Sequence, residues 1–306
     1  MIKQRKSQAE FAWLFSLIIG AMILFLAIFF AGKVFQTGTS LTQAETLRTF
    51  DVLLNPFSSA GNIVSLTLSK SIEMPYQTEL NFSCSDTGEK LSLRTIEKKN
   101  GEWTSYTIKN KYLFANSSIQ GKKFWTFSKP FELPWRIDDM IYIIPETERY
   151  CFVDLSIPSD IKTELGMINS TVINMVGSIA QCEDAKTVCF ITGDCDIQIH
   201  YSNYYLTKKG VPGQFYFGDD ASMYAAIFSS KQIYDCNIKR LLSRLPEQAG
   251  IYYNLANKLN SEGCGNNGVL SQLASFKDKT WTYISNDLIT SSNRIKEADS
   301  YSCLII

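Results

Sequence analysis

The longest uncharged segment of this chain runs from Phe11 to Gly32 and constrains what the rest can fold into. As a helix rising ~1.5 Å per residue it is roughly 33 Å long, enough to cross the ~30 Å hydrocarbon layer of a bilayer. A helix also satisfies its own backbone hydrogen bonds, which lipid cannot do. The alternative is a cleaved signal peptide, whose apolar region is usually ~7–15 residues long and ends at an A-x-A-like site. The longer run and the missing A-x-A pattern favour a transmembrane helix over residues 11–32.

The charges on the two sides of this segment predict its orientation. The tail, residues 1–10, has three basic residues against one acidic residue, whereas Lys33 is the only basic residue between the segment and Arg48. Because cytoplasmic flanks carry the excess of Lys and Arg, the tail is predicted to be cytoplasmic and the body extracytoplasmic. The predicted location is the cell membrane, as a single-pass protein with the lipid bilayer as a partner.

The residues before the apolar segment read RKSQAEF over positions 5–11. A basic and a small residue precede a glutamine, an acidic residue follows, and a long apolar helix comes next. Residues 1–33 thereby resemble the N-terminus of archaeal type IV pilins. The general layout is similar to that of archaeal single-pass envelope proteins. These resemblances imply protein partners in the envelope, and a processed, assembly-forming helix as an alternative to a plain anchor.

All eight cysteines follow the uncharged segment, on the side predicted to be extracytoplasmic. An even number of cysteines in an oxidising compartment predicts disulfides. A zinc site is not favoured, because the sequence has no C-x-x-C pair, so neither a metal nor a cofactor is expected. The cysteines are Cys84, Cys151, Cys182, Cys189, Cys195, Cys236, Cys264 and Cys303.

Two further features bear on the surface of the body. Three N-x-S/T sequons make Asn81, Asn116 and Asn169 candidates for glycosylation of an exported protein. The chain has 30 basic and 30 acidic residues, of which three and one lie in the tail, leaving 27 and 29 after it. Because these charges nearly balance and the basic residues form no run or patch, nucleic acid is not expected as a partner.

Secondary-structure patterns divide the body into three parts. Residues 33–56 predict a stalk, with a short helix that ends at a proline. Alternating, β-branched and aromatic stretches recur over residues 57–156 and predict an antiparallel β-rich domain, with a turn at Asp86-Thr87-Gly88. Residues 157–306 predict an α+β region. The fold class is therefore α+β, with an N-terminal transmembrane helix, a β-rich extracytoplasmic domain and a C-terminal helical hairpin stapled by disulfides.

The α+β region shows three patterns. An apolar stripe from Ile161 to Ile179, at steps of three and four residues, predicts a long helix after Pro158. Residues 187–229 are predicted to form strands. Two further apolar stripes flank a turn at 264–268 and predict an antiparallel helical hairpin over about 231–303.

A helical hairpin brings its two open ends together, which predicts one disulfide. Cys236 and Cys303 lie 30 residues before and 37 residues after the turn, which is centred near Asn266. We therefore predict a Cys236–Cys303 bridge, which would stabilise the fold by roughly 3–4 kcal/mol in the chain-entropy model. The other pairings considered are Cys264 with the 182–195 cluster and Cys84 with Cys151.

The sequence assigns no catalytic residue. His200 is the only histidine, and the strand pattern places it on the same face as Asp196 and opposite Cys195, which disfavours a Cys–His dyad. Asp219-Asp220 could bind a cation, although a polar turn explains the pair as well. The candidate site residues are Asp194, Asp196, His200, Asp219 and Asp220.

Two function classes remain open. The first is a membrane-anchored extracytoplasmic binding or structural protein of the cell envelope, as part of a surface or pilus-like assembly. The second is a membrane-tethered extracytoplasmic hydrolase, for which no catalytic motif is present. One cleft that gathers the five candidate side chains would favour the hydrolase, whereas scattered positions would favour binding.

Overall fold

The computed structural model describes residues 19–26, 70–96, 102–154, 157–190, 193–263, 265 and 267–300. Within these ranges the body is a mixed α+β fold with two six-stranded sheets. The strands are β1 (Lys70–Ser85), β2 (Gly88–Thr95), β3 (Thr104–Ile108), β4 (Tyr112–Phe114), β5 (Ser118–Glu132), β6 (Arg136–Pro145), β7 (Tyr150–Val153), β8 (Ile173–Val176), β9 (Lys186–Cys189), β10 (Ile197–His200), β11 (Tyr205–Lys208) and β12 (Phe215–Tyr216). The helices of the body are α1 (Ser159–Met167), α2 (Asp220–Phe228), α3 (Lys231–Leu242), α4 (Leu245–Ser261), α5 (Asn267–Lys277) and α6 (Asn286–Ser300).

The first sheet has the strand order β3-β2-β1-β5-β6-β4. Its pairs are antiparallel except β4 with β6, which run parallel. The turn predicted at residues 86–88 is confirmed, since Ser85 pairs with Gly88 across a two-residue connection. Gly88 has φ +147°, and a Cβ there would lie 3.1 Å from the Ile108 carbonyl oxygen, so a side chain would be strained in this turn.

The second sheet has the order β12-β11-β10-β9-β7-β8 and mixes two kinds of pairing. Strands β7, β8, β9 and β10 run parallel, whereas β11 is antiparallel to both β10 and β12. Strand β7, at Tyr150–Val153, belongs to this sheet although it precedes residue 157. Parallel strands place their first residues at one end of a sheet, and an antiparallel neighbour ends there, so β9 and β10 begin where β11 ends.

Helix α2 forms the centre of the core between the two sheets. Every residue from Ala221 to Phe228 is buried, and the helix contacts β5 and β6 of the first sheet and β11 and β12 of the second. The prediction of strands over 187–229 is wrong for this segment. A short apolar run fits a buried strand or a buried helix equally well, and here the capping box of Asp219 and Ser222 starts a helix.

Helix α1 begins where it was predicted, immediately after Pro158, but it ends at Met167. The predicted continuation to Ile179 is wrong, because Ile173–Val176 forms β8 and pairs in parallel with β7. Ile173 of β8 and the preceding Val172 are buried in the main core. Apolar residues with helical spacing therefore form a strand here, because pairing with a neighbouring strand determines the secondary structure.

The C-terminal part is helical, and α4 packs against α5 across the predicted turn. Each predicted arm is however interrupted. The first arm breaks between Leu242 and Leu245, and the second breaks between Lys277 and Asn286. Because of the first break, α3 leaves the arm and packs on β1 and β4 of the first sheet.

The predicted fold class needs one correction, which concerns the transmembrane helix. Among the described residues, no helix has both the length and the apolar content that a membrane crossing needs. Of the predicted span, residues 19–26 are described and are helical, and the rest of the span lies outside the described residues. The predicted tail at 1–10 and stalk at 33–56 lie outside the described residues.

The structure confirms disulfide bonds but corrects their pairing. Cys236 bonds to Cys84, so the predicted Cys236–Cys303 bridge is wrong, as is a Cys84–Cys151 pair. The physical reason is the break after Leu242, which places α3 and its Cys236 against β1, where Cys84 lies. The described bridges are Cys84–Cys236, Cys151–Cys182 and Cys189–Cys195. The expected pairing of Cys264 with the 182–195 cluster is therefore wrong, and Cys264 and Cys303 themselves lie outside the described residues.

Candidate functional site

A cavity of about 430 Å³ lies at one end of the second sheet, beside the junction of α2 and α3. The sheet topology explains its position, since β7 and β9 begin, and β11 ends, at this end. Four lysines line it, against one carboxylate, that of Asp196. The lysines are Lys186, Lys208, Lys209 and Lys231.

Lys208, the last residue of β11, is the most enclosed of the four cations. Its Nζ donates hydrogen bonds to the carbonyl oxygens of Ile227 at 2.9 Å and Ser229 at 2.6 Å, at the end of α2. The ammonium also lies 4.8 Å from the ring centroid of Phe215. Burial, together with the nearby charge of Lys186, lowers the pKa of Lys208 to about 7. An ammonium has three N–H donors, so one remains for a ligand.

The other three lysines form ion pairs with carboxylates at or beyond the rim. Lys186 lies 3.1 Å from Glu148, Lys209 lies 3.1 Å from Asp194, and Lys231 lies 2.7 Å from Asp235. Each pair has at least one partner more than a third exposed, and exposed ion pairs are worth only ~0–1 kcal/mol. These ammonium groups can therefore exchange a carboxylate for a ligand anion at little cost.

The start of α3 adds backbone donors to the same cavity. Ser230 is the N-cap of this helix, but its hydroxyl pairs with the hydroxyl of Ser117 at 2.8 Å and makes no capping bond within the described structure. The first N–H groups of a helix have no intrahelical acceptor and carry a partial positive charge. Because Ser229, Ser230 and Lys231 all line the cavity, this helix end favours a negative ligand there.

A hydrogen-bond network around Glu148 holds two residues that line the cavity, Asn116 and Tyr150. The Asn116 amide donates to both carboxylate oxygens of Glu148, at 3.0 and 2.9 Å, and the hydroxyl of the buried Tyr150 donates at 3.2 Å. The Lys186 ammonium lies over the Tyr150 ring at 5.4 Å. Burial is the main cause that raises the pKa of Tyr150 well above 10, so it stays a neutral donor.

The five predicted site residues do not share one cleft. Asp196 is the one that lines the cavity, and its carboxylate accepts from the backbone N–H and the hydroxyl of Thr187, both at 2.9 Å. The backbone bond from Thr187 is the main cause that lowers the pKa of Asp196. Asp194 is 91% exposed and pairs with Lys209.

The remaining three have structural partners. His200 stacks on Tyr205, with ring centroids 4.4 Å apart. Asp219 caps α2, and desolvation raises its pKa to about 6. Asp220 accepts a hydrogen bond from the Tyr201 hydroxyl at 2.9 Å. The hydrolase alternative requires one cleft that gathers these groups. The structure divides them instead: Asp194 and Asp196 lie near Lys209, Asp219 and Asp220 start α2, and His200 stacks on Tyr205.

Within the described ranges, no group of three or more His, Cys, Asp or Glu side chains is placed to hold a metal ion. Asn81 and Asn169 are exposed, whereas the Asn116 amide is engaged by Glu148 at the cavity. Sequence reasoning missed the lysines, because they come from the start of β9, the end of β11 and the start of α3, with no common spacing.

No protein-family model, curated protein or solved structure matches the chain.

Proposed function

We propose that this chain is an extracytoplasmic binding protein whose lysine-lined cavity holds a compact anion of the size of sulfate or phosphate. The observation that carries the proposal is the convergence of four lysines and the first turn of α3 on one cavity. Fixed N–H donors and ammonium groups are the donors that bind oxyanions in proteins.

Charge and enclosure both support a small anion over an extended polyanion. The cavity holds about 430 Å³, within the range of small-molecule sites. The lysine positions are concentrated at one sheet end, and the whole chain has equal numbers of basic and acidic residues. Because this positive charge is confined to the cavity, it favours an anion that fits inside it over an extended polyanion.

The extracytoplasmic location rests on the disulfides. Three bridges join six of the cysteines, and the described part of the chain has no free thiol. Disulfides persist in oxidising compartments and are rare in the cytosol. The role in a surface or pilus-like assembly, with protein partners in the envelope, depends on N-terminal residues outside the described ranges.

Calorimetric titration of the full chain with sulfate and with phosphate, in buffer of low ionic strength, tests the proposal. We expect saturable binding to one site, weakened at least tenfold in Lys208→Met and in Lys231→Gln, and screened by added chloride. Lys258→Gln is the matched control, because Lys258 is exposed on α4 and outside the cavity. If neither anion binds, or if the control weakens binding as much, the proposal is wrong.

A further inference from the structure

A second cavity, of about 480 Å³, lies between β12, α3 and the segment that joins α5 to α6. Its walls differ from those of the lysine-lined cavity, because tyrosine rings replace most of the cations. Tyr216 and Tyr283 line it and are 45% and 66% exposed. Large rings left this exposed at a concave site favour a ligand with an apolar face.

The tyrosine of β12 is held in place from both sides. The Tyr216 hydroxyl donates to the side-chain oxygen of Gln214 at 2.6 Å. The buried Tyr234 hydroxyl, from α3, donates at 2.5 Å to the backbone carbonyl oxygen of Tyr216. A ring fixed by neighbours loses little conformational entropy when a ligand packs on it.

Polar groups that can bind hydroxyls lie beside the rings. Asp235 offers carboxylate acceptors, Gln214 offers an amide, and Thr282 offers a hydroxyl. Exposed tyrosine rings next to carboxylate, amide and hydroxyl groups match the chemistry of a sugar. One face of a sugar ring presents C–H groups that pack on an aromatic ring, and its edge presents hydroxyls.

Lys231 lines both cavities and so connects them. Its Nζ lies 2.7 Å from an Asp235 oxygen, on the aromatic side, and 5.0 Å from the Phe215 ring centroid, on the side of the lysine-lined cavity. A ligand that occupies both cavities must therefore carry an anionic group and a ring on opposite sides of this lysine.

We propose that the two cavities together bind an anionic monosaccharide, with the sugar ring against Tyr216 and Tyr283 and the acidic group among the lysines. This inference rests on the proposed anion binding and names its ligand class. The aromatic cavity supplies ring contacts and hydroxyl partners that inorganic phosphate cannot use, so it adds affinity only for a sugar.

The test compares inorganic phosphate, neutral glucose and a panel of glucose 6-phosphate, galactose 6-phosphate and glucuronate, titrated into the full chain by calorimetry. We expect at least one anionic sugar to bind three- to tenfold more tightly than phosphate, and glucose to bind weakest. Phosphate binding without any gain from a sugar overturns this inference and leaves the proposed function standing. No binding by any probe overturns both.

Two substitutions separate the cavities. Tyr283→Ala is expected to remove the advantage of the sugar over phosphate while phosphate affinity stays unchanged. Tyr76→Ala is the matched control, because Tyr76 is also 50% exposed but lines neither cavity. Unchanged sugar affinity in Tyr283→Ala, or an equal loss in the control, would show that the aromatic cavity takes no part.

Discussion

The side-chain amide of Asn237 donates a hydrogen bond to the carboxylate of Glu89, 148 residues earlier in the chain. Both residues are buried, at 0% and 3% exposed. The same amide donates to the Leu113 carbonyl oxygen at 2.8 Å, and the Leu113 N–H donates to Glu89 at 3.1 Å. This polar cluster joins α3 to β2 and β4, close to the Cys84–Cys236 bridge.

The Glu89 carboxyl is expected to make stability depend on pH. Burial is the main cause that raises its pKa from 4.5 to about 8. The folded state therefore holds the Glu89 proton more tightly than the unfolded state between these values, so the contribution of Glu89 to the free energy of unfolding is largest below pH 4.5 and is lost as pH rises through 8. Over the whole interval between the two pKa values, the Glu89 contribution to the free energy of unfolding decreases by roughly 5 kcal/mol.

Urea unfolding at pH 5 and pH 9 measures this effect. Glu89→Gln is expected to flatten the fall, because the amide cannot ionise, while the exposed Glu262→Gln should follow the unaltered protein at both pH values. A Glu89→Gln variant that loses as much stability between pH 5 and pH 9 as the unaltered protein would contradict the assignment.

The Cys84–Cys236 bridge is expected to contribute more stability than the Cys189–Cys195 bridge. The sequence separations are 152 and 6, and in the chain-entropy model closing the longer loop constrains the unfolded chain by about 2–3 kcal/mol more. Thermal unfolding of the two double Cys→Ser variants compares them directly. Equal losses would show that the loop-entropy term does not dominate, and non-reducing peptide mapping checks the pairing itself.

Local signals predicted individual elements of the fold correctly. The turn at Asp86-Thr87-Gly88 and the helix start after Pro158 are confirmed, because each depends on neighbours in sequence. The strand Ile173–Val176 and the helix Asp220–Phe228 were assigned wrongly. Both are short apolar segments, whose state is decided by the sheet or core that surrounds them.

The candidate site also depends on tertiary contacts that the sequence does not show. The acidic pair Asp219-Asp220 is visible in the sequence, yet its role as a helix start depends on α2, which was not predicted. The cavity depends on Lys186, Lys208 and Lys231 meeting at one sheet end. Their meeting follows from mixed parallel and antiparallel pairing, which a single sequence does not reveal.

Asp219 is expected to matter for stability although it was predicted as a site residue. Its carboxylate accepts from the Ser222 N–H at 2.8 Å and from the Glu132 N–H at 3.0 Å, so it joins α2 to β5. Asp219→Ala should lower the free energy of unfolding by about 2 kcal/mol, and Asp219→Asn by less, because one acceptor oxygen remains.

The control for this change is Asp194→Ala, a substitution at an exposed position that pairs only with Lys209 among the described contacts. It should alter stability by less than about 0.5 kcal/mol in the same urea unfolding experiment. A larger effect at Asp194 than at Asp219 would mean that the cap contributes less than its geometry indicates.

Anion binding should weaken as pH rises through about 7, because Lys208 then loses its charge. Desolvation, with the charge of Lys186, lowers its pKa to about 7, while Glu148 opposes the shift. The folded state then binds fewer protons than the unfolded state from about pH 7 up to 10.5, so deprotonation of Lys208 also makes the free energy of unfolding rise with pH across that window. Anion affinity and the contribution of Lys208 to stability are thus expected to move in opposite directions with pH.

Sulfate is the probe for this prediction, because its own charge stays constant over the range. Its affinity, measured by calorimetry at pH 6 and pH 8.5, should fall severalfold in the unaltered protein. Lys208→Met should bind weakly at both pH values without that step, whereas Lys209→Gln should bind less tightly and keep the step, since Lys209 is 67% exposed. A step that persists in Lys208→Met would assign the titration to another group that faces the cavity.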